Sequence, residues 1–443
     1  MSKLINLKKA AWYAVENITT IAFGLISVIV VARVFGPENL GKLSMIQALS
    51  ATASFMVVLG LDHLIVRNIA RVSDDYNFIF TAFIMQLIGW FFHVVVVFII
   101  IYIIFDGKIG KDIIAIGFAV LFTIYFTRAN VFRLFFQAVN MPEKIAISAL
   151  ISRTIALVYL GFSLWLEFKY HWVVLFIPIQ ACAQFLILLT QFIKFTKVNY
   201  NYFCVFDSDK AKALLSEAMP IIASSILFPV FMQADILLIS MLLDEKNVGI
   251  YSSASRIITQ FVFLGHIITM TFYLTLSNKF HAKSKDTDEF IQGLIIILVL
   301  FGGIAALVVH TFSEIIIALL YGEKFEGGGD VLSILAWNWI FIFPAALFSR
   351  LLIIKGLAKF EFIKSAVVAI FSLSANYFLI PIYGITGAAI VSVTSYFLAD
   401  LLLYSFFRET RPMFVSAIKS IFLILYQPRK AIRLVLFTFG AKQ

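Results

Sequence analysis

A chain of 443 residues that is 62% hydrophobic and only 14% charged, with a mean hydropathy of +0.98, has too little polar surface for a water-soluble fold, which runs near half apolar and a quarter charged. Its net charge of +10 therefore reads as a signal of membrane topology and lipid surfaces, and nothing in it suggests nucleic acid as a partner. Two cysteines, Cys182 and Cys204, and six histidines without ligand spacing leave no disulfide framework and no metal centre to argue for, so metal catalysis drops out.

In chain order, Lys3, Lys8 and Lys9 precede an apolar run to Val34. That run is too long for a signal peptide and lacks a small-residue cleavage site, so it reads as a retained first helix. Runs able to cross about 30 Å of hydrocarbon at about 1.5 Å per residue follow near 42–62, 78–104, 112–136, 145–166 and 172–193. Six more lie near 216–242, 249–275, 290–311, 331–354, 364–380 and 386–407. The expected fold is an all-α integral membrane protein of about twelve transmembrane helices.

With alternate loops assigned to opposite faces, 23 Lys and Arg side chains, Lys364 among the loop cations, fall on the N-terminal side against six, Lys42, Lys108, Lys111, Lys169, Lys246 and Lys324, on the other. The positive-inside rule then places both termini in the cytoplasm. The longest interior polar stretch, Lys194 to Ser216, divides the helices six and six. The expected organisation is a lobe over 1–195, a cytoplasmic linker over 196–215, a second lobe over 216–407 and a basic amphipathic cytoplasmic tail over 408–443. An internal repeat supports two lobes: Asn39-Leu40-Gly41-Lys42-Leu43-Ser44 follows the first run as Asn247-Val248-Gly249-Ile250-Tyr251-Ser252 follows the seventh. Arg133-Leu134 and Ser148-Ala149 are echoed at one constant offset by Arg350-Leu351 and Ser365-Ala366. In the tail, Met413 to Tyr426 is too short to span, and with Arg429, Lys430 and Arg433 it fits a segment lying on the inner leaflet.

A charged side chain in the bilayer survives where it faces a wet cavity or a partner. The intramembrane candidates are mostly arginines: Arg33, Arg128, Arg133, Arg153, Arg256 and Arg350, against Glu16, Glu217, Asp235 and Asp400. Arg133 and Arg350 lie close enough to the cytoplasmic surface to snorkel. Arg128, Arg153 and Arg256 lie deeper, where they either line a cavity or form buried ion pairs. A guanidinium-rich cavity would select an anionic cargo, because planar forks bind phosphate and carboxylate oxygens two at a time. Asp235, Asn376 and Thr394 fall at similar depth on three helices, where they either hold a coupling Na⁺ or proton or pack as polar contacts between helices. The loop Glu323-Lys324-Phe325-Glu326-Gly327-Gly328-Gly329-Asp330 lacks the strand and Lys-Ser/Thr ending of a phosphate cradle and reads as a turn.

Several motifs carry a family resemblance. Arg33-Val34-Phe35-Gly36-Pro37-Glu38-Asn39-Leu40-Gly41, then Gly60-Leu61-Asp62 with Arg67 and Ala70-Arg71, resemble the opening of polysaccharide and O-antigen flippases of the multidrug/oligosaccharidyl-lipid/polysaccharide superfamily. Asp235 with Val248-Gly249-Ile250-Tyr251, Leu320-Tyr321-Gly322 and Pro381-Ile382-Tyr383-Gly384-Ile385-Thr386-Gly387-Ala388-Ala389 extend the resemblance over nearly the whole chain. It implies two six-helix lobes around a central cavity that opens alternately to each face of the cell inner membrane. The implied cargo is an undecaprenyl-diphosphate-linked glycan, carried to the outer leaflet for O-antigen, capsule or exopolysaccharide assembly. It further implies cavity arginines at Arg33 and Arg256 and a cation site involving Asp235. A polysaccharide polymerase and a chain-length regulator are the implied protein partners, membrane lipids the surroundings, and no cofactor is expected beyond a coupling ion. Two other readings compete. A membrane glycan polymerase or ligase should show a larger outer loop than 312–330. A cation-coupled drug exporter of the same superfamily should bury more Asp and Glu than Arg.

Overall fold

The structure is a computed structural model that describes residues 2–105, 107, 110–198, 206–282, 284, 286–357 and 359–439. Part of the expected linker (199–205), together with Lys108, Cys204, Lys283, Lys285 and Lys442, lies outside the described residues.

The regular structure among the described residues is all helical, with no strand. That is what an apolar solvent demands, since a helix satisfies its own N–H and C=O groups. Among the described residues, nine helices are long and apolar enough to cross a membrane. Two of them carry two of the sequence's runs each. Ser2–Thr52 breaks at Gly36, with φ 80°, and Lys359–Phe397 breaks at Gly384, with φ 60°. Both glycines hold left-handed backbone that an L side chain resists. Counting those runs separately and adding the shorter apolar helix Ile226–Leu242 accounts for all twelve.

The chain divides into two compact units, Met1–Gln233 and Ala234–Gln443. The division falls inside the helix Ser208–Leu242, later than the polar stretch where the sequence places the lobe boundary. The reason is packing: Ala211, Leu214 and Ala218 bury themselves among Leu64, Ile79, Phe132 and Phe192 of the first unit, so the start of that helix belongs with the N-terminal half. Lys210 adds an ion pair to Asp75, Nζ to Oδ2 2.7 Å. Asp75 in turn caps the helix Tyr76–Ile104 by accepting from the Phe78 N–H at 3.1 Å.

The first unit is cored by aromatic rings in edge and tilted contact, including Phe83, Phe132, Phe185 and Phe192. In the second unit the tail forms two helices, Arg411–Tyr426 and Pro428–Thr438. Leu423, Ala431 and Leu434 pack against Ile296 of the helix Thr287–Tyr321. On the opposite face Ile432, Leu436 and Phe439 stay 59%, 52% and 64% exposed, beside the exposed Arg429, Lys430 and Arg433. A helix with one face on protein and an apolar-plus-basic face outward suits the plane of a leaflet.

Candidate functional site

In the N-terminal unit, Glu16, Thr19 and Thr20 share one face of the first helix through their i, i+3, i+4 spacing. Arg153, on the helix Pro142–Trp165, reaches that face. Its Nη1 donates to Thr19 Oγ1 at 2.9 Å and its Nη2 to Thr20 Oγ1 at 2.6 Å. A longer bond runs from Nη1 to the Glu16 carbonyl, 3.4 Å. The hydroxyls are free to accept because each donates backward along its own helix, Thr19 to Val15 at 2.8 Å and Thr20 to Glu16 at 2.6 Å. The carboxylate of Glu16 is taken by Arg133, with Nη2 to Oε1 at 3.0 Å and Nε to Oε1 at 3.3 Å. Arg133 is aimed by its short helix Val131–Ala138, which Asn130 caps by accepting from the Arg133 N–H.

Glu16 is 7% exposed and Arg153 8%. One buried carboxylate thus faces two guanidinium groups, Arg153 buried and Arg133 with a side chain 37% exposed, which leaves an excess of positive charge at this face. Of the two possibilities open for Arg153, a free fork in a cavity or a buried pair, the structure shows a third: the fork is spent on neutral oxygens, and its charge is balanced only through a carboxylate shared with Arg133.

The other candidate arginines lie elsewhere. Arg128 ends the helix Lys111–Arg128 and is exposed, within electrostatic reach of Asp62. Arg33 is exposed three residues before the break at Gly36. In the second unit Arg256 lies half-buried on the helix Glu245–Gln260, near Tyr321. Arg350 sets its guanidinium over the Tyr273 ring, 5.7 Å to the centroid.

The second unit holds the most elaborate buried polar cluster. Tyr251 Oη donates to Asp235 Oδ2 at 2.5 Å and Asn376 Nδ2 to Asp235 Oδ1 at 2.7 Å. Ser392 lies within electrostatic reach of the carboxylate and receives Asn338 Nδ2 at 3.2 Å. Asn376, Ser392 and Asn338 are all buried. The Oδ1 atoms of Asn376 and Asn338 are buried acceptors without a donor among the described residues. Acceptors left open beside a carboxylate cost free energy unless something fills them. A single carboxylate with neutral oxygens matches a monovalent hard cation or a proton; a divalent ion would ask for more negative charge.

Asp235 and Asn376 are thus brought together as the sequence suggests, but Thr394 is not. Its side chain is exposed and its hydroxyl bonds the Ile390 carbonyl at 2.8 Å. Ser392 occupies the inward place, because two residues turn a helix by about 200° and put the pair on opposite faces. Tyr251, Ser392 and Asn338 were not singled out individually. Tyr251 carried a signal, since it belongs to the repeated Asn-Val-Gly-Ile-Tyr-Ser stretch. Ser392 and Asn338 carried none.

A second charged group lies in the same unit. Lys364, counted as a loop cation in the sequence, is a helical residue whose Nζ meets Asp400 Oδ1 at 3.0 Å and Glu361 Oε2 at 2.9 Å. Asp400 is carried on the π-turn Leu398–Leu402.

The model of the "Polysaccharide biosynthesis protein" family matches residues 6–271, more than half of the chain. The chain belongs to that family. The "MatE" family model matches residues 220–381, which contain Asp235, Tyr251, Asn338 and Asn376 but not Ser392. Over 411 residues the chain is 21% identical to the capsular polysaccharide biosynthesis protein CapF of Staphylococcus aureus, covering 91% of this chain and 99% of that protein. Among solved structures it is similar to the lipid II flippase MurJ in an inward closed conformation, with TM-score 0.60, 15% identity, and 93% and 98% of the two chains covered. It is also similar to an inward-facing multidrug resistance MATE transporter of the MOP superfamily, with TM-score 0.63, 15% identity and 94% and 95% coverage. The fold is therefore that of MOP-superfamily membrane transporters and flippases. The family places the chain in polysaccharide biosynthesis, and its long apolar helices make it a multi-pass membrane protein.

Proposed function

We propose that the protein carries polyprenyl-diphosphate-linked oligosaccharide repeat units, with undecaprenyl as the lipid, from the cytoplasmic to the outer leaflet of the cell inner membrane by alternating access. In this reading the termini are cytoplasmic, the product feeds a surface polysaccharide such as O-antigen or capsule, and a polymerase with its chain-length regulator acts on it afterwards. The observation that carries the reading is the positive excess at Glu16, Arg133 and Arg153. A lipid-linked diphosphate is anionic and too polar to cross hydrocarbon unaided, so cationic groups at membrane depth lower its barrier. Arg33, Arg128 and Arg256 are the further arginines assigned to the cargo's path.

Asp235, with Tyr251, Asn376, Ser392 and Asn338, is assigned to the coupling ion. A bound Na⁺ or proton would neutralise the Asp235 carboxylate. The residues do the rest: Tyr251 and Asn376 hold the two carboxylate oxygens in fixed directions. Thr394 keeps no part in this assignment.

A second reading, a cation-coupled exporter of cationic compounds, is favoured by the match of the second unit to the MatE model. Reconstitution separates the two. Vesicles containing the protein and a polyprenyl-diphosphate oligosaccharide should expose the glycan to an external glycosidase with time, while a cationic dye stays unmoved. Dye transport without glycan transfer would replace the first reading by the second.

A further inference from the structure

Three of the six lysines on the less basic side, Lys42, Lys111 and Lys169, line one cavity of about 550 Å³ in the N-terminal unit, together with His171, Asp112 and Ile113. Its wall is fixed. Tyr170 donates from Oη to the Asn39 carbonyl at 3.0 Å and meets Phe35 edge-on at 5.1 Å. Lys42 pairs with Glu38 at 2.6 Å and His171 Nδ1 lies 3.1 Å from Asp112 Oδ1. Lys111 and Lys169 are exposed at the rim.

The helix Lys111–Arg128 begins in this cavity, with Gly110 as an N-cap that offers no side-chain bond. Its first i→i+4 bond is Ile114 N–H to the Gly110 carbonyl, 3.1 Å, so the amides of Lys111, Asp112 and Ile113 precede the helical ladder. Three lysines lining one cavity and the N-terminus of an 18-residue helix both favour an anion there.

Ile113 also lines a second cavity of about 300 Å³. That groove runs between the helices Tyr76–Ile104 and Lys111–Arg128, along Phe98, Ile101, Gly117, Leu121 and Phe122, and is almost wholly apolar. From Ile113 to Phe122 it follows nine residues of helix, about 14 Å. This is close to the half-thickness of a bilayer's hydrocarbon, about 15 Å.

We propose that the basic cavity and the adjoining groove form one binding site for an anionic phospholipid of the outer leaflet. The phosphate sits at Lys111, Lys169 and the first-turn amides, and one acyl chain lies in the groove. The Asp112 carboxylate is kept from opposing the phosphate by its contact with His171. A one-leaflet groove suits an acyl chain; a polyprenyl chain would overrun it. The site is independent of the cargo reading, since its residues lie apart from Glu16, Arg133 and Arg153.

Native mass spectrometry of the full chain, titrated with dioleoyl-phosphatidylglycerol or dioleoyl-phosphatidylcholine, tests this. Phosphatidylglycerol should bind more tightly, and Lys111→Gln and Lys169→Gln should each weaken it about fivefold, as expected for one lysine near a lipid phosphate. The double variant should bind both lipids alike. Gly117 has open space where a Cβ would stand, so Gly117→Phe should plug the groove and weaken both lipids about tenfold or more while leaving the melting temperature in place. Equal binding of the two lipids by the unmodified protein, or undiminished phosphatidylglycerol binding by Gly117→Phe, would overturn the site. Displacement of phosphatidylglycerol by equimolar undecaprenyl phosphate would overturn the choice of occupant.

Discussion

Replacing Arg153 by alanine removes two short hydrogen bonds from a charged donor, 2.9 Å to Thr19 and 2.6 Å to Thr20, that tie the helix Pro142–Trp165 to the first helix. A hydrogen bond with a charged partner contributes on the order of 1.5–3 kcal/mol. The lower end applies, because both threonine hydroxyls keep their bonds to Val15 and Glu16 and no buried group is stranded. The expected loss is roughly 3 kcal/mol. At about 2–4 °C per kcal/mol for a unit of this size, that is a fall of roughly 6–12 °C in melting temperature. Lysine restores the charge and one contact, so Arg153→Lys should lose about half as much. Arg153→Gln keeps a donor and loses the charge. Measured in lipid nanodiscs beside complementation of surface polysaccharide, Lys should transport better than Gln at comparable stability if the charge serves the cargo. A melting temperature within about a degree of the unmodified protein for Arg153→Ala, with full complementation, would refute both the tie and the cationic role.

Asp235→Asn should leave membrane abundance near normal and make transport slow and insensitive to Na⁺ and pH; an unchanged dependence on both would reduce Asp235 to packing. Gly302→Ala places a Cβ 2.6 Å from the Trp339 carbonyl oxygen, whereas at Gly303 the nearest atom is Ile340 Cδ1 at 4.0 Å. The first should cost about 1–3 kcal/mol through overpacking and the second should be neutral or slightly stabilising through helix propensity, as thermal unfolding of the two variants would show. Glu217, which the sequence places at the start of the run 216–242, is exposed ahead of the apolar helix Ile226–Leu242; the Arg67 guanidinium forms a two-pronged pair with it, Nη1 to Oε1 2.6 Å, and holds its carboxyl below the usual range. A carboxyl depressed on folding contributes stability above its unfolded pKa, about 4.3, and loses it as pH falls through the folded value. Melting temperatures of Glu217→Gln should therefore converge with those of the unmodified protein below that range and fall short of them at neutral pH.

The helix count was legible because runs of apolar residues long enough to span have few alternatives, and the positive bias phases them. The lobe boundary was less so. Ala211, Leu214 and Ala218 lie in a stretch whose flanking charges look like a linker, and their burial depends on partners more than a hundred residues away. Asp235 and Asn376 stood out as polar residues at one depth, but depth does not give the direction a side chain faces, and Thr394 and Ser392 are separated only by rotation about the helix. Arg153 was visible as a buried charge; that its fork is spent on Thr19 and Thr20 depends on a contact between distant helices that no local pattern encodes. Lys364 read as a loop charge because Asp400, its partner, lies far along the chain.

The most direct test of the account is to deplete the protein in its own cell and assay which leaflet holds the lipid-linked oligosaccharides, by mass analysis after labelling with a membrane-impermeant reagent. The account predicts that polyprenyl-diphosphate-linked repeat units accumulate on the cytoplasmic leaflet and that the surface polymer falls in step. An unchanged leaflet distribution, or accumulation on the outer leaflet, would contradict it.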